Sequence, residues 1–513
     1  MIVEDQSAVV AFLSRPSTHG ESGPVEVMET HISLIFLVGG RAFKLKRAVK
    51  LPYVDFSSAE LRLAACRKEV ELNSVTAPGL YIGTREIRRD VKGRLGLDGE
   101  GELVDAVVEM VRFEQDCLFD CMATLGRLTE RQMEEVAHMI ALFHRDAPVV
   151  RGEKGTANMA GVLDVNEAGF ATSSVFASDE TEAFNHAFRT ALERVSPLLD
   201  RRSGEGRIRR CHGDLHLRNI CLFGGRPRLF DCIEFNDRIA TVDVLYDFAF
   251  LLMDLWHRDL SNFANLAMNR YLDETGDEDG FVLLPFFMAV RAAVRAHVTA
   301  TQAAETAGGG KQLAEIARSY FELARALLEP VPYRLVAIGG LSGSGKTTVA
   351  EALAPLVGAP PGARIVESDR VRKGLFGVAA ETRLPDTAYA PEISARVYRR
   401  LAERAEAILS AGGSVVADAV FDRPGNRDLI EAAARAARAP FHGVWLEADA
   451  ALLRDRVVGR TGGPSDATAA VLERQLARDA GEISWARVDA GRPPEEVVAE
   501  TARQLGNVRG PDH

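Results

Sequence analysis

Apolar residues are spaced in two different ways along this chain. Between residues 32 and 45, β-branched and aromatic side chains dominate and Gly39-Gly40 sits midway, a pattern that predicts two strands joined by a tight turn. From Thr129 the period changes. Met133, Val136, Ala137, Ile140 and Ala141 recur at helical spacing, and Thr129 followed by Gln132 predicts a capping box at the start of that helix. The first part of the chain therefore begins β-rich and turns helical. In the last third, apolar runs at 335–338, 365–366, 415–417 and 444–446 alternate with helical stretches such as Ile393, Val397, Leu401 and Ala405. Such alternation predicts a parallel sheet covered by helices.

A seam lies near residue 330. Gly308, Gly309 and Gly310 precede a helical stretch reaching Leu328, and Glu329-Pro330-Val331-Pro332 ends it, because proline has no amide to donate to a continuing helix. With 513 residues the chain is long enough for about three compact units at roughly 150 residues each. Apolar residues at 47% and charged residues at 26% are ordinary for globular domains, and no fixed-period repeat is present. A net charge of −11 argues against an extended nucleic-acid surface, so nucleic acid is not expected as a partner. Six cysteines do not make a disulfide framework; reduced, mostly buried thiols are expected, with Cys117 and Cys121 on one helical face as core packing. The apolar segment 281–290 holds a proline and ends at Arg291, which argues against a membrane span. The residues after Met1 include Glu4 and Asp5 and no basic cluster, which predicts a cytoplasmic protein. Nothing in the composition bears on oligomeric state.

The sharpest motif is Gly340-Leu341-Ser342-Gly343-Ser344-Gly345-Lys346-Thr347-Thr348, after an apolar strand and before a helix carrying Val349, Leu353 and Leu356. Glycines let backbone amides turn inward around a phosphate, a lysine reaches the outer phosphate oxygens, and a hydroxyl holds Mg²⁺; Gly340, Ser342, Gly343, Ser344, Gly345, Lys346, Thr347 and Thr348 are the candidate nucleotide contacts, with Thr347 also on the metal. Asp369 and Arg372 follow the next predicted strand, at the sheet edge where ligands bind. Asp369 is a candidate base for an acceptor hydroxyl and Arg372 a candidate anchor for an anionic group. Asp418 ends the third strand as a candidate Mg²⁺ carboxylate. Arg456 and Arg460 precede Thr461-Gly462-Gly463-Pro464 and are candidate lid arginines over the transferring phosphoryl group. The stretch 333–513 resembles small P-loop kinases of the gluconate kinase, chloramphenicol phosphotransferase and polynucleotide kinase type, through Asp369-x-x-Arg372 and Val415-Val416-Ala417-Asp418-Ala419 with Arg423 and Arg427 following.

The second constellation is His212-Gly213-Asp214-Leu215-His216-Leu217-Arg218-Asn219, then an apolar 220–223, a Gly224-Gly225 turn and Arg228-Leu229-Phe230-Asp231. It reads as a catalytic loop, a hairpin and a second carboxylate. Phosphoryl transfer in kinase-like sites asks for an aspartate at the acceptor hydroxyl, an asparagine five residues on for Mg²⁺, and an aspartate after the hairpin; Asp214, Asn219 and Asp231 have that order. A zinc cluster of His212, Asp214 and His216 beside Cys211 is the competing reading, and it leaves Asn219 and Asp231 without a role. His144, alone at the end of the Thr129 helix, is expected to be a satisfied core residue.

This segment resembles the aminoglycoside phosphotransferase family, whose His-Gly-Asp-x-His-x-x-Asn motif is matched at every fixed position. The resemblance implies that Asp214 is the catalytic base, that His212 and His216 brace the loop, and that Asn219 and Asp231 hold Mg²⁺. It also implies that a lysine in Phe43-Lys44-Leu45-Lys46 contacts phosphate, that Glu69 on the following helix pairs with it, and that 108–111 is the hinge between lobes. Lys44 and Lys46 alternate onto one face, so both remain candidates. After Asp231 the chain reads Cys232-Ile233-Glu234, without the Phe-Gly of protein kinases, and Ala240-Thr241-Val242-Asp243 replaces the Gly-Asp-Pro of antibiotic kinases.

The expected architecture is an α+β kinase-like bilobal domain over 1–327 (N-lobe about 1–108, C-lobe about 112–327) followed by an α/β P-loop NTPase domain with a parallel sheet over 333–513. The expected activity is ATP- and Mg²⁺-dependent phosphoryl transfer to hydroxyls or amines of small-molecule acceptors at two sites. The alternatives are a C-terminal regulatory ATPase, a C-terminal polynucleotide 5′-kinase, and an N-terminal kinase reduced to a binding module.

Overall fold

The computed structural model describes residues 3–51, 53–152, 154–305, 310–459 and 465–506. The chain forms two compact units: residues 1–162 with 196–254, and residues 163–195 with 255–513.

In the first unit a six-stranded antiparallel sheet runs in the order Glu26–Glu29, Ser33–Val38, Arg41–Lys46, Glu102–Val111, Tyr81–Arg89, Leu95–Leu97. The hairpin expected over 32–45 is its second and third strands, with Val38 paired to Arg41 across Gly39-Gly40. Helix Ala59–Thr76, whose first turn is capped by Ser58 accepting from the Leu61 amide at 3.3 Å, lies against the sheet through Leu63 and Cys66. Arg62 on that helix is wholly buried and donates to Asp105 at 2.8 Å and to the Phe56 carbonyl at 3.0 Å. Helix Glu130–Asp146 carries the expected capping box, and all five of its predicted core residues are buried. The catalytic-loop segment precedes the hairpin Ile220–Phe223 and Arg226–Leu229, paired in antiparallel register.

In the second unit five strands form a wholly parallel sheet in the order Arg364–Glu367, Val415–Asp418, Leu335–Gly340, Phe441–Glu447, Ala486–Asp489. The strand leading into the glycine loop is central, and Glu367 and Asp418 are register partners at the carboxyl edge beside it. The break at 329–332 falls inside this unit: helix Gly310–Leu328 ends there, and residues 255–328 group with the parallel sheet. Helix Ser261–Thr275 supplies Asn265, which donates to the carbonyls of Pro361 and Ala363 at 3.0 and 3.1 Å, and Asn269, which accepts from the Ile365 amide at 2.8 Å. These side chains satisfy backbone groups along the outer edge of the Arg364–Glu367 strand, where the ladder has no further strand.

One expectation needs extending and one correcting. A helix long and apolar enough to span a bilayer does exist at 281–305, but 72% of its most apolar window is buried inside the protein, and its side chains pack as core. Cys117 and Cys121 do not share a helical face: Cys117 ends a short 3₁₀ turn, Cys121 lies in the next helix, and both are only half-buried. The other four cysteines are buried free thiols.

Candidate active sites

The loop 211–219 is held open by groups beneath it. Gly213 has φ 88°, and a Cβ there would meet Ile233 Cδ1 at 3.0 Å and Ala240 Cβ at 3.2 Å, so only glycine passes this point. The His212 and Gly213 amides donate to the two oxygens of buried Asp247 at 3.2 and 2.7 Å, and the Leu217 amide donates to Asp254 at 3.0 Å. His212 accepts from the Asp214 amide at Nδ1 (3.4 Å), so its Nε2–H donates to the Phe230 carbonyl (3.0 Å). Burial, which outweighs the attraction of Asp247 and Asp214, lowers the His212 pKa and keeps the ring in that neutral form.

On this base stands Asp214, its carboxylate 39% exposed. Asn219 Nδ2 donates to Asp214 Oδ2 at 2.9 Å, and His216 Nε2 lies 3.3 Å from the same oxygen. Asp231 adopts φ 61°, an uncommon backbone for a residue with a side chain, and its amide donates to the Tyr81 hydroxyl at 3.1 Å. The Asp231 carboxylate pairs with Lys44 Nζ, which donates to Glu69 Oε1 at 2.9 Å. Lys46 pairs instead with Glu69 Oε2 and with Glu234. The two lysines are thereby distinguished: Lys44 reaches Asp231, whose side chain is 40% exposed, whereas Lys46, 1% exposed, is enclosed between buried carboxylates. Burial opposes the charge of Glu69, but the two lysines pull its pKa down to about 2. Burial likewise opposes the Lys44 charge, and Asp231 and Glu69 raise that pKa well above the ordinary value.

The zinc reading is not supported. His212 is turned to the Phe230 carbonyl and His216 to Asp214. Among the described residues the possible metal-ligand group is His144, Cys211 and Asp247, whose Asp247 is already bonded to His144 at 3.1 Å and to two amides. His144 is buried and partnered, as a core histidine should be. In the 108–111 segment the Glu109 carboxylate is engaged by Arg41 and Arg85, each at 3.0 Å.

In the second unit, Gly340, Gly343 and Gly345 have φ of 144°, 87° and 85°. A Cβ at Gly340 would lie 2.7 Å from the Ser344 hydroxyl and one at Gly343 2.7 Å from the Leu453 carbonyl, whereas at Gly345 it would meet open space. Gly345 is the N-cap of helix Lys346–Leu353, whose positive end and unpaired amides suit an anion. The Ser342 amide donates to Gln475 at 2.9 Å, and the buried Ser344 hydroxyl has no hydrogen-bond partner among the described residues. Thr347 Oγ1 donates to Asp418 Oδ2 at 2.7 Å. A cavity of about 230 Å³ is lined by Gly343, Ser344, Gly345, Thr348, Arg456 and Arg492, among others.

Asp418 is buried and Asp369 half-buried, and both are near enough to Lys346 for the charges to act on one another. Burial raises both carboxyls, Asp418 to about 6. Arg372 is buried, donates to the Ala388 carbonyl at 2.7 Å, lies 4.6 Å over the Tyr389 ring, and has an Nε without a partner among the described residues. Asp466 accepts from Lys373 and from the Tyr389 hydroxyl, each at 2.6 Å.

Both family comparisons follow this geometry. The profile of the Phosphotransferase enzyme family matches residues 124–281, and an AAA domain profile matches residues 335–480. An uncharacterized protein of Mycobacterium tuberculosis is 31% identical over 489 residues, covering 93% of this chain and 94% of its own length. A Mycobacterium bovis protein gives the same figures. The chain belongs to this two-domain family. It joins a kinase-like phosphotransferase domain to a P-loop kinase domain. Solved structures similar to parts of it include a choline/ethanolamine kinase family protein of Mesorhizobium loti (15% identity, TM-score 0.41, covering 63% of this chain and 94% of that one). A gluconokinase of Sinorhizobium meliloti covers 35% of this chain and 95% of itself, at 26% identity and TM-score 0.24.

One placement differs from expectation. Arg456 lines the cavity but its Nη1 donates to the Ala490 carbonyl at 2.9 Å, so its side chain is tied to the loop after the last strand. Arg460 and the 461–464 stretch lie outside the described residues. Arg427 serves the fold, donating to the carbonyls of Phe421, Ala480 and Glu482.

Several residues of the kinase-like domain escaped sequence reading: Asn73, Tyr81, Glu234, Asp247 and Asp254. For the last pair a signal existed. Asp247 and Asp254 stand seven apart, on one face of an otherwise apolar helix, Val244–His257, and a carboxylate in such surroundings must have partners. Glu234 had no comparable local mark.

Proposed function

We propose that this chain is a phosphotransferase with two active sites, each moving the terminal phosphoryl group of ATP to a hydroxyl or amine of a small molecule. The observation that carries the reading is that Asn219 bonds Asp214 and Lys44 pairs with Asp231 in one domain, the two pairs adjoining where the Phe230 amide donates to the Asn219 carbonyl, while Lys346, Thr347, Asp418 and Asp369 stand together in the other.

Both donor sets fit a hard divalent cation: Asp231 with Asn219, and Thr347 with Asp418, offer only oxygen. Mg²⁺ bound there would neutralise charge on the phosphates. The protein's own groups do the rest. In the kinase-like domain Lys44, held by Glu69, faces the phosphates; Asp214 accepts the acceptor's proton at its carboxylate, oriented by Asn219 and His216. In the P-loop domain the loop amides, the unpartnered Ser344 hydroxyl and Lys346 receive phosphate oxygens. Asp369, whose ionised form is made a stronger base because desolvation raises its pKa, takes the acceptor's proton, and Arg372 offers its unpartnered Nε to an anionic part of the acceptor. Arg456 bounds the nucleotide cavity.

The test is a metabolite pool incubated with ATP and wild-type, Asp214→Ala or Asp369→Ala protein, then searched for compounds gaining the mass of one phosphate. Each variant is expected to lose a different set of products. If Asp369→Ala leaves every product and all ADP release intact, the P-loop domain is a nucleotide sensor; if Asp214→Ala does so, the kinase-like domain is a binding module. Labelled 5′-hydroxyl oligonucleotides lost with Lys346→Ala would instead make the C-terminal acceptor a polynucleotide.

A further inference from the structure

Five charges run in a row through the kinase-like domain: Asp231, Lys44, Glu69, Lys46, Glu234. The side chains of Glu69, Lys46 and Glu234 are 0%, 1% and 3% exposed, so the second half of the row is out of water. Its two ends belong to one four-residue segment, 231–234, and its middle belongs to the sheet and to helix Ala59–Thr76. The same segment is fastened between those ends. The Cys232 amide donates to Asn73 Oδ1 at 2.9 Å, and Asn73 Nδ2 donates to the Glu69 carbonyl at 2.8 Å. The Asp231 amide donates to Tyr81, on the neighbouring strand Tyr81–Arg89.

Only Asp231, at 40%, and Lys44, at 11%, keep side-chain exposure to solvent in this row. Were Glu69 served by Lys44 alone, its full charge would draw that ammonium away from Asp231. Lys46 occupies the second oxygen of Glu69, so Lys44 is shared, and Glu234 in turn balances Lys46.

Resting on the two-site phosphotransferase reading, we propose that Lys46, Glu234 and Asn73 are positioning residues: they clamp segment 231–234 to the Glu69 helix and so hold Asp231 and Lys44 at working separation before nucleotide arrives. Lys46 thus has no phosphate contact, although it lies on the same strand face as Lys44. The Glu69 helix is locked in place from the outset, because its carboxylate is bonded on both sides and Asn73, one turn on, grips the same segment. A buried ion pair is weak evidence of stabilisation, since apolar replacements of both partners are often tolerated. Its value here lies in where it puts Asp231.

The experiment uses the full chain carrying Lys346→Ala, so that nucleotide binds only in the kinase-like domain. Affinity for Mg²⁺-mant-ATP, amide exchange over 59–76 and 231–237, and thermal midpoint are measured for Lys46→Met/Glu234→Met, with Asn73→Ala as a second, uncharged perturbation. The double variant, which leaves no unpaired buried charge between those two partners, is expected to melt close to the parent, to exchange faster in both segments, and to bind nucleotide roughly tenfold more weakly, the effect usual for residues that orient ligating groups. Asn73→Ala is expected to act in the same direction. Parent-like affinity and exchange in both variants, while Lys44→Met and Asp231→Asn lose binding, would overturn the positioning role alone. If Lys44→Met and Asp231→Asn also bind as the parent does, the nucleotide-site reading itself fails.

Discussion

Replacing Arg364 by methionine tests whether helix Ser261–Thr275 is part of the P-loop fold. The guanidinium is 1% exposed and donates to Asn269 Oδ1 at 2.9 Å, Asp273 Oδ1 at 2.5 Å and Glu278 Oε1 at 3.1 Å. Methionine keeps the length and removes every donor. Breaking a buried ion pair from one side costs about 3 to 5 kcal/mol, because the partner's charge stays behind. Here Asp273 keeps Arg370 and Arg270 at 3.4 and 3.5 Å, and Glu278 keeps Arg404, so the lower end, about 3 kcal/mol, is expected. Trp256, Trp445 and Trp485 are the chain's three tryptophans and all lie in the second unit, so urea unfolding followed by their fluorescence reads this unit. Asp273, held low although burial pushes it up, would lose its nearest cation. Its carboxyl should then titrate higher, and the deficit should shrink as pH falls. A loss below about 1 kcal/mol would refute the reasoning, since it is what a solvated surface pair is worth.

Three further outcomes follow from the same packing and electrostatics. Gly213→Ala forces a Cβ against Ile233 and Ala240 at positive φ, and should abolish Asp214-dependent turnover while lowering stability by about 2 kcal/mol in thermal unfolding. His297 is buried, and burial lowers its pKa from 6.5 to about 4. The unfolded chain therefore binds the proton first, so roughly 3 kcal/mol present above pH 6.5 is lost as pH falls toward 4, and His297→Gln should flatten that acid limb in the tryptophan-monitored midpoint. Thr347→Val, in a Lys44→Ala background, should bind nucleotide with nearly the same affinity with and without Mg²⁺, as calorimetry would read directly.

Short-range features were legible from the residues alone: the hairpin at Gly39-Gly40, the capping box at Thr129, the parallel sheet, the glycine loop with its positive φ values, and the order Asp214, Asn219, Asp231. Each is set by spacing within about one or two elements, where backbone sterics and side-chain period leave few choices. Proline and Arg291 argue against a span at 281–290; the helix extends to 305 and is apolar enough by composition, and only its packing shows that protein covers it.

Lys44 and Lys46 mark the boundary of what sequence decided. Strand alternation put both on one face, and nothing local could separate them; Asp231 and Glu234, 187 and 188 residues further on, paired one with a solvent-accessible carboxylate and the other with a buried one. Helix Ser261–Thr275 is the same case at larger scale, since the carbonyls of Pro361 and Ala363 meet Asn265 only after the chain has folded back across 96 and 98 positions. Sequence fixes periodicity and local chemistry because those depend on neighbours; which charge neutralises which depends on desolvation, and desolvation exists only once distant segments have closed over the site.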